Sequence, residues 1–280
     1  MQQRNEDLYF IAEIGQNHNG SLETAFKMVD ALKNIGGINA IKTVKRDIDT
    51  CLTDKQKQMI YDNPNSFGRT YYEHRKALEF YPEDFLKLKR YIEAAGFDFI
   101  ASFTDKKSLD FLVNIGCKTL KIASQRAADY DLLNKVAKTK LPVIYSTGMT
   151  DWDIIDTAVE ILQAYPLTIM QCTSVYPCPE KSLHLNVIPA IKGRYGCQVG
   201  FSGHHIGIAP DIVAFTLGAN VFERHFTLSR AMKGTDHAAS LEPSGIEKWV
   251  RYIGQAKESL GNNEKFILPE EMPALKKLRG

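Results

Sequence analysis

Short runs of β-branched and aromatic residues alternate along the chain with stretches whose apolar residues return every three or four positions. The runs are YFIAEIG from Tyr9, AIKTVK from Ala40, FDFIASF from Phe97, TLKIAS from Thr119, PVIYST from Pro142, LTIMQCTS from Leu167, QVGFSG from Gln198 and NVFERHFT from Asn220. Amphipathic helices lie between them. Leu22, Ala25, Phe26, Val29 and Leu32 make one stripe, opened by Ser21 as an N-cap with Glu23 in the first turn. Phe85, Leu88, Ile92 and Ala95 make another, with Pro82 near its start and Gly96 just past its end. A third, from Ile246 through Trp249, Val250, Ile253 and Ala256 to Leu260, stops at Gly261. Eight strands, most followed by a helix, predict a (β/α)8 TIM barrel. A doubly wound open sheet shares the alternation, but its fingerprint needs Gly-x-Gly-x-x-Gly after the first strand. The chain reads GQNHNGS there.

Two segments break the rhythm. Lys45 to Tyr81 is a long polar and aromatic connection, expected over the barrel mouth, where such loops are functional or mobile. The end of the chain, PEEMPALKKLRG, has two prolines and reads as an extended arm. The expected division is a barrel over residues 1–265 and a tail over 266–280.

With 280 residues, 44% hydrophobic and 24% charged, the composition excludes a disordered chain. A net charge of +2 carries no footprint for nucleic acid, and no apolar run is long enough to span a membrane. Five scattered cysteines, with no Cys-x-x-Cys pair, argue against a disulfide framework or a cysteine zinc site and for a reduced, cytoplasmic setting.

Charge on the strands changes the picture. Side chains alternate between barrel interior and helix layer, so Glu13 goes with Ile11, Lys42 with Ala40, and Glu223 and His225 with Val221. If these polar residues and Lys121 face inward, carboxylates, ammonium groups and an imidazole collect toward one end of the barrel. Burying ions costs several kcal/mol each unless they pair or bind a charged guest. An internal ion-pair network without a ligand is the competing reading. Arg224 falls on the outer face and must snorkel or find a carboxylate. His204 follows the seventh strand and His225 lies in the eighth, so neighbouring strands can bring two imidazoles to one divalent metal.

At these residues the chain resembles the sialic acid synthase family, which condenses phosphoenolpyruvate with an aldose to a 3-deoxy-2-keto sugar acid. The matching segments are FIAEIGQNHNGS, AIK, LKIAS, PVIYSTGM, IMQCTSVYP, VGFSGHHIGI, GANVFERHFTL and KGTDHAASLEP, in order from Phe10 to Pro243. The resemblance implies that Lys42, Lys121, Ser124, Ser146 and Ser202 hold the phosphate and carboxylate of phosphoenolpyruvate, with Ser102 nearby. It implies Mn2+ or Mg2+ on His204 and His225. Glu13, Thr173, Ser174, Tyr176 and Asp236 would surround the sugar, and Glu223 would be a general base toward water. Glu13, Glu223 and Lys121 are thus the candidate catalytic groups, and a homodimer is the expected assembly.

The departures are informative. The family's serine-aspartate-histidine-threonine run reads Ser202-Gly203-His204-His205, which removes a carboxylate beside the metal. Its serine-glycine-acid run reads Ser124-Gln125-Arg126, which makes Arg126 a candidate contact to a phosphorylated or acidic sugar. Its lysine-phenylalanine-glutamine run reads Lys42-Thr43-Val44. The family's small C-terminal antifreeze-like domain, which places an arginine over the partner's sugar, has no counterpart, and the Lys45–Tyr81 stretch, with Arg69, His74 and Arg75, is the candidate replacement. Two other functions remain open: a Schiff-base aldolase using Lys42 or Lys121, and a catalytically inactive sugar-phosphate-binding homologue.

Overall fold

A computed structural model describes residues 8–280. Eight parallel strands close into a barrel in sequence order: β1 (Tyr9–Gly15), β2 (Ala40–Lys45), β3 (Asp98–Phe103), β4 (Thr119–Ile122), β5 (Val143–Ser146), β6 (Leu167–Cys172), β7 (Gln198–Gly203) and β8 (Val221–His225). The helices are α1 (Leu22–Ile35), α2 (Ile48–Cys51), α3 (Asp54–Gln58), α4 (Tyr71–Ala77), α5 (Pro82–Ala94), α6 (Lys106–Asn114), α7 (Tyr130–Ala137), α8 (Trp152–Leu162), α9 (Val187–Tyr195), α10 (Ala209–Thr216), α11 (Pro243–Leu260) and α12 (Met272–Arg279). The fold is the expected TIM barrel.

Local chemistry sets the boundaries. Ser21 Oγ accepts from Thr24 N at 3.2 Å and starts α1. Pro82 opens α5, where its missing N–H has no helical partner to lose. Gly261, at φ +56°, ends α11.

The strand alternation divides two cores. Outward residues such as Phe10, Ile41, Phe99, Leu120, Ile169 and Phe222 pack against the helices, with the Phe10 ring edge-on to Trp249 at 5.0 Å. Inward, Ile11, Ala40, Ile100, Ile144, Met170 and Val221 form one dry layer. Two residues along each strand the interior turns polar, and register aligns that layer. Glu13 stands beside Lys42 on one side and His225 on the other, Ser102 beside Lys121, and Ser202 beside Glu223. The apolar layer plugs the barrel, so the charges above it can face only the mouth at the C-terminal strand ends.

The Lys45–Tyr81 connection is ordered. It carries α2, α3 and α4 and an antiparallel bridge between Ile60 and Thr70. Thr53 and Thr70 each close a capping box, with Gln56 and Glu73, which explains how a polar segment holds short helices. The end of the chain corrects the expectation of an extended arm. Pro269 opens a single 3-10 turn and Pro273 lies in the first turn of α12, positions where proline starts a helix.

Candidate active site

A cavity of 470 Å³ opens at the C-terminal ends of the strands. Glu13, Lys42, Ser102, Lys121, Ser124, Ser146, Ser174, Tyr176, Ser202, His204, Glu223, His225 and Asp236 all line it. A larger cavity of 650 Å³ lies at the opposite end of the barrel, walled by Tyr9, Thr119, Gln163, Thr168 and Gln198. Its lining holds no Asp, Glu, Lys, Arg or His. Chemistry, and not volume, distinguishes the site.

At its floor four buried ions interlock. Lys42 Nζ contacts the Glu13 carboxylate and lies 3.6 Å from Glu223 Oε1. Lys121 Nζ lies 3.0 Å from Glu223 Oε2, and Ser202 Oγ donates to Glu223 Oε1 at 3.3 Å. The two carboxylates therefore diverge. Burial is the largest influence on Glu13 and raises it; Lys42 pulls back, Glu223 pushes again, and Glu13 ends near about 7. Burial would raise Glu223 as well, but Lys121 and then Lys42 outweigh it and hold it down at about 2. Burial lowers Lys121 despite Glu223, whereas Glu13 and Glu223 overcome burial at Lys42 and hold that ammonium above its ordinary range. Near neutral pH the site thus offers a carboxyl poised to exchange a proton beside a permanently ionised carboxylate, an arrangement suited to acid–base work.

On the β4–β6 side, apart from Lys121, the lining is made of hydroxyls and a thiol. Gly148 N–H donates to Ser124 Oγ at 3.1 Å, and Ser124 Oγ lies 3.5 Å from Cys172 Sγ. A Cβ on Gly148 would overlap Ser124 Oγ and Ser174 Oγ, so the glycine lets those two hydroxyls converge with Ser146. Such a cup suits an oxyanion.

The histidines stand together, His204 and His225 with ring centroids 5.4 Å apart and Tyr176 over His204 at 4.0 Å. His204 Nδ1 donates to Thr173 O at 3.0 Å; burial would lower this imidazole, but its hydrogen bond with the neighbouring Cys172 outweighs burial and raises it above its ordinary range. His225 Nδ1 is buried without a hydrogen-bond partner, 3.9 Å from Asp236 Oδ2, and burial lowers this imidazole to about 4. Two imidazoles side by side, one with an unpartnered nitrogen, and a carboxylate alongside are donor types that fit a divalent cation. Among the described residues no three His, Cys, Asp or Glu side chains converge into a complete metal cage. Further ligands would come from solvent or substrate.

Two expected site residues stand apart. Thr173 does not line the cavity; its hydroxyl donates to Ser182 O at 2.9 Å and its carbonyl fixes His204. Arg126 does not line it either. The turn after β4 sends it to the rim, 3.5 Å from Asp129, because Asp129 caps α7 three residues on. Of the long loop, Arg69 is exposed and His74 is buried, accepting from Phe67 N–H, while Arg75 reaches the cavity. Gln16, Arg46, Tyr61, Cys172 and Thr235 were not anticipated and line it too. The available signal was their position immediately after strands or in the β2 and β8 connections.

The departure at Gly203 and the outer-face Arg224 meet at His205. A Cβ on Gly203 would come within 2.9 Å of the His205 ring, which stacks on Phe201 at 5.7 Å. His205 Nε2 lies 3.0 Å from Asp211 Oδ2, and Arg224 reaches the same oxygen at 2.6 Å. Arg224 Nη2 also donates to His205 O at 2.6 Å. The outer-face arginine thus finds its carboxylate behind the mouth and braces the segment that carries His204.

Comparison with known proteins agrees with this geometry. The NeuB family model matches residues 28–265. N-acetylneuraminate-9-phosphate synthase from Homo sapiens is 36% identical over 275 residues, covering 96% of this chain and 76% of its own length. N,N'-diacetyllegionaminic acid synthase from Legionella pneumophila is 34% identical, covering 95% of this chain and 76% of its own length. The solved N-acetylneuraminic acid synthetase from Leptospira borgpetersenii, in complex with citrate, superposes with a TM-score of 0.85 at 29% identity, covering 97% of this chain and 91% of that one. No helix among the described residues is long and apolar enough to cross a membrane. The family match, the relatives aligned over nearly the whole of this chain and the shared barrel lead to one conclusion: the chain belongs to the NeuB family.

Proposed function

We propose that the protein condenses phosphoenolpyruvate with an aldose and water to give a 3-deoxy-2-keto sugar acid of sialic-acid type and inorganic phosphate. The observation that carries this reading is the Glu223 carboxylate held between Lys121 at 3.0 Å and Lys42 at 3.6 Å, facing a neutral hydroxyl cup. Ser124, Ser146 and Ser174 suit the donor's phosphate, and the lysines offset its charge throughout.

C3 of the enol phosphate attacks the sugar aldehyde, forming the carbon–carbon bond and leaving cationic character at C2. Glu223, ionised at neutral pH, accepts a proton from the water that adds to C2, and phosphate leaves as the ketone forms. Glu13, near about 7, is placed to protonate the oxygen that was the aldehyde. His204 and His225 would hold Mn2+ or Mg2+, which would supply Lewis-acid polarisation of that aldehyde. Thr173 keeps His204 in the tautomer that presents Nε2.

The deciding assay is phosphate release from phosphoenolpyruvate with a panel of aldoses, with and without divalent metal. Release that needs both a sugar and a metal, and is lost in His204→Ala and His225→Ala, is the expected outcome. Undiminished turnover in strong chelator would exclude the metal, and no release with any sugar would exclude the synthase. One observation favours a second reading: burial lowers Lys121, as a Schiff-base amine requires. Borohydride trapping of pyruvate on Lys121 would establish it; the ion pair with Glu223 argues for an amine that stays protonated.

A further inference from the structure

We propose that Gln16 and Thr235 are positioning residues, forming a directed hydrogen-bond chain that couples α4 of the β2 connection to the Asp236 carboxylate beside His225. This goes beyond the reaction proposed above and rests on one part of it, a divalent cation on His204 and His225.

The bonds are short and run one way. Arg75 Nη1 donates to Gln16 Oε1 at 2.5 Å, and Gln16 Nε2 donates to Thr235 Oγ1 at 2.8 Å. Thr235 Oγ1 then donates to Asp236 Oδ1, also at 2.8 Å. The other oxygen of that carboxylate, Oδ2, lies 3.9 Å from His225 Nδ1, which is buried with no hydrogen-bond partner.

The head of the chain forces its direction. A guanidinium carries donors and no acceptor, so the Gln16 atom that meets Arg75 must be the oxygen. The amide NH2 is thereby turned to Thr235, whose hydroxyl must accept from it and has its one proton left for Asp236. Turning the amide over would set NH2 against the guanidinium and draw the Thr235 proton away from Asp236. Aligned dipoles between a cation and a carboxylate strengthen one another.

The links come from distant parts of the sequence. Gln16 directly follows β1 and is buried, Arg75 lies on α4, and Thr235 and Asp236 lie between β8 and α11. Beside Gln16 the β2 and β8 connections also meet directly. Asn65 Oδ1 accepts from Gly234 N–H at 3.2 Å, and the Lys233 ammonium lies over the Phe67 ring at 4.9 Å. A shift of α4 is therefore felt by the backbone that carries Thr235 and Asp236. A carboxylate alongside a metal-binding histidine sets the orientation and basicity of the ring. Asp236 also answers the charges of Arg75 and Arg46, so these loop cations already have their anion.

The test reads Mn2+ binding to the full chain without substrates, from the paramagnetic resonance signal of the free ion, and then phosphate release. Thr235→Val keeps the side-chain shape and removes the hydroxyl, and Gln16→Met keeps the length and removes both hydrogen bonds. Each should weaken Mn2+ binding and lower kcat by about tenfold, with KM for phosphoenolpyruvate unchanged. Thr235→Ser restores the hydroxyl and should recover most of both. Because the two variants cut one chain, the double variant should lose no more than either single one. Coupling is reciprocal, so Mn2+ should slow amide hydrogen exchange across α4 in the wild type and not in Thr235→Val. Unchanged Mn2+ affinity in both variants overturns the inference and leaves the synthase standing. Losses that multiply in the double variant overturn it as well, because two independent struts would give that result. Failure of the wild type to bind Mn2+ instead removes the metal from the reaction proposed above, and the inference with it.

Discussion

The two sides of the barrel mouth hold their polar groups in opposite ways. From β4 to β6, apart from Lys121, the wall is built of hydroxyls: Ser124, Ser146 and Ser174 line it, with the Gly148 amide bonded to Ser124 Oγ. From β8 through β1 to β2 the wall is ionic: Glu223, His225, Glu13, Lys42, Arg46 and Arg75 depend on one another for their charge states. A neutral cup can keep its shape whether or not its guest is present, since each hydroxyl has a protein partner or faces solvent. An ionic wall cannot lose one member without stranding another.

The sharpest way to break this contrast is Glu223→Ala. It strands Lys121 and leaves Lys42 with Glu13 alone, and should lower kcat by about 10²–10⁴ and stability by about 3–5 kcal/mol, read from phosphate release and thermal melting. Asp211→Ala tests whether the ionic side also leans on ions behind it. Arg224 and His205 would lose their carboxylate, with a loss of about 3–5 kcal/mol in denaturant unfolding and no change in KM for the donor. If the loss is below about 1 kcal/mol, the brace is not needed.

A smaller effect is expected on the neutral side. Ser146→Ala should raise KM for phosphoenolpyruvate about ten- to hundredfold, the value of one hydrogen bond to a charged group, and leave KM for the sugar alone. A larger effect on the sugar would erase the division between the two sides.

The smallest effect is in pH. Burial lowers His18 to about 3, and its Nδ1 accepts from Gly20 N–H at 3.1 Å, a bond that only the neutral ring makes. The unfolded ring takes a proton near 6.5, so this contribution to stability is full above 6.5 and drains as pH falls toward 3. Glu13 runs the other way. Raised from 4.5 to about 7, its contribution is full below 4.5 and drains as pH climbs through 7. In thermal melts of the metal-free protein, the advantage of wild type over His18→Asn should therefore grow from pH 4 to 6.5. The advantage over Glu13→Gln should shrink from pH 4.5 to 7. Parallel curves for wild type and variants would reject both assignments.

Much of the site could be read along the chain because a barrel strand has period two and its mouth lies at one end. Once Ile11, Ala40 and Val221 are taken as interior, Glu13, Lys42, Glu223 and His225 follow by counting. The arginines could not be counted in this way. Arg126 and Arg75 both lie in connections, where no period applies and direction depends on what the turn packs against. Arg126 was expected in the mouth and is turned out to Asp129; Arg75 was one of three loop candidates and alone of those enters, held by Gln16 and Tyr71. Thr173 likewise follows β6, where a hydroxyl can face either the cavity or the loop, and Ser182 O takes it.

The amino-acid order by itself determined the barrel, its strand boundaries and the inward row of ions, because period and register are local properties that repeat. Tertiary structure alone decided which ion pairs with which, how far Glu13 and Glu223 part in charge, and where the loop cations aim. Those depend on distances between residues far apart in the chain, and electrostatic energy in a buried site changes steeply with such distances.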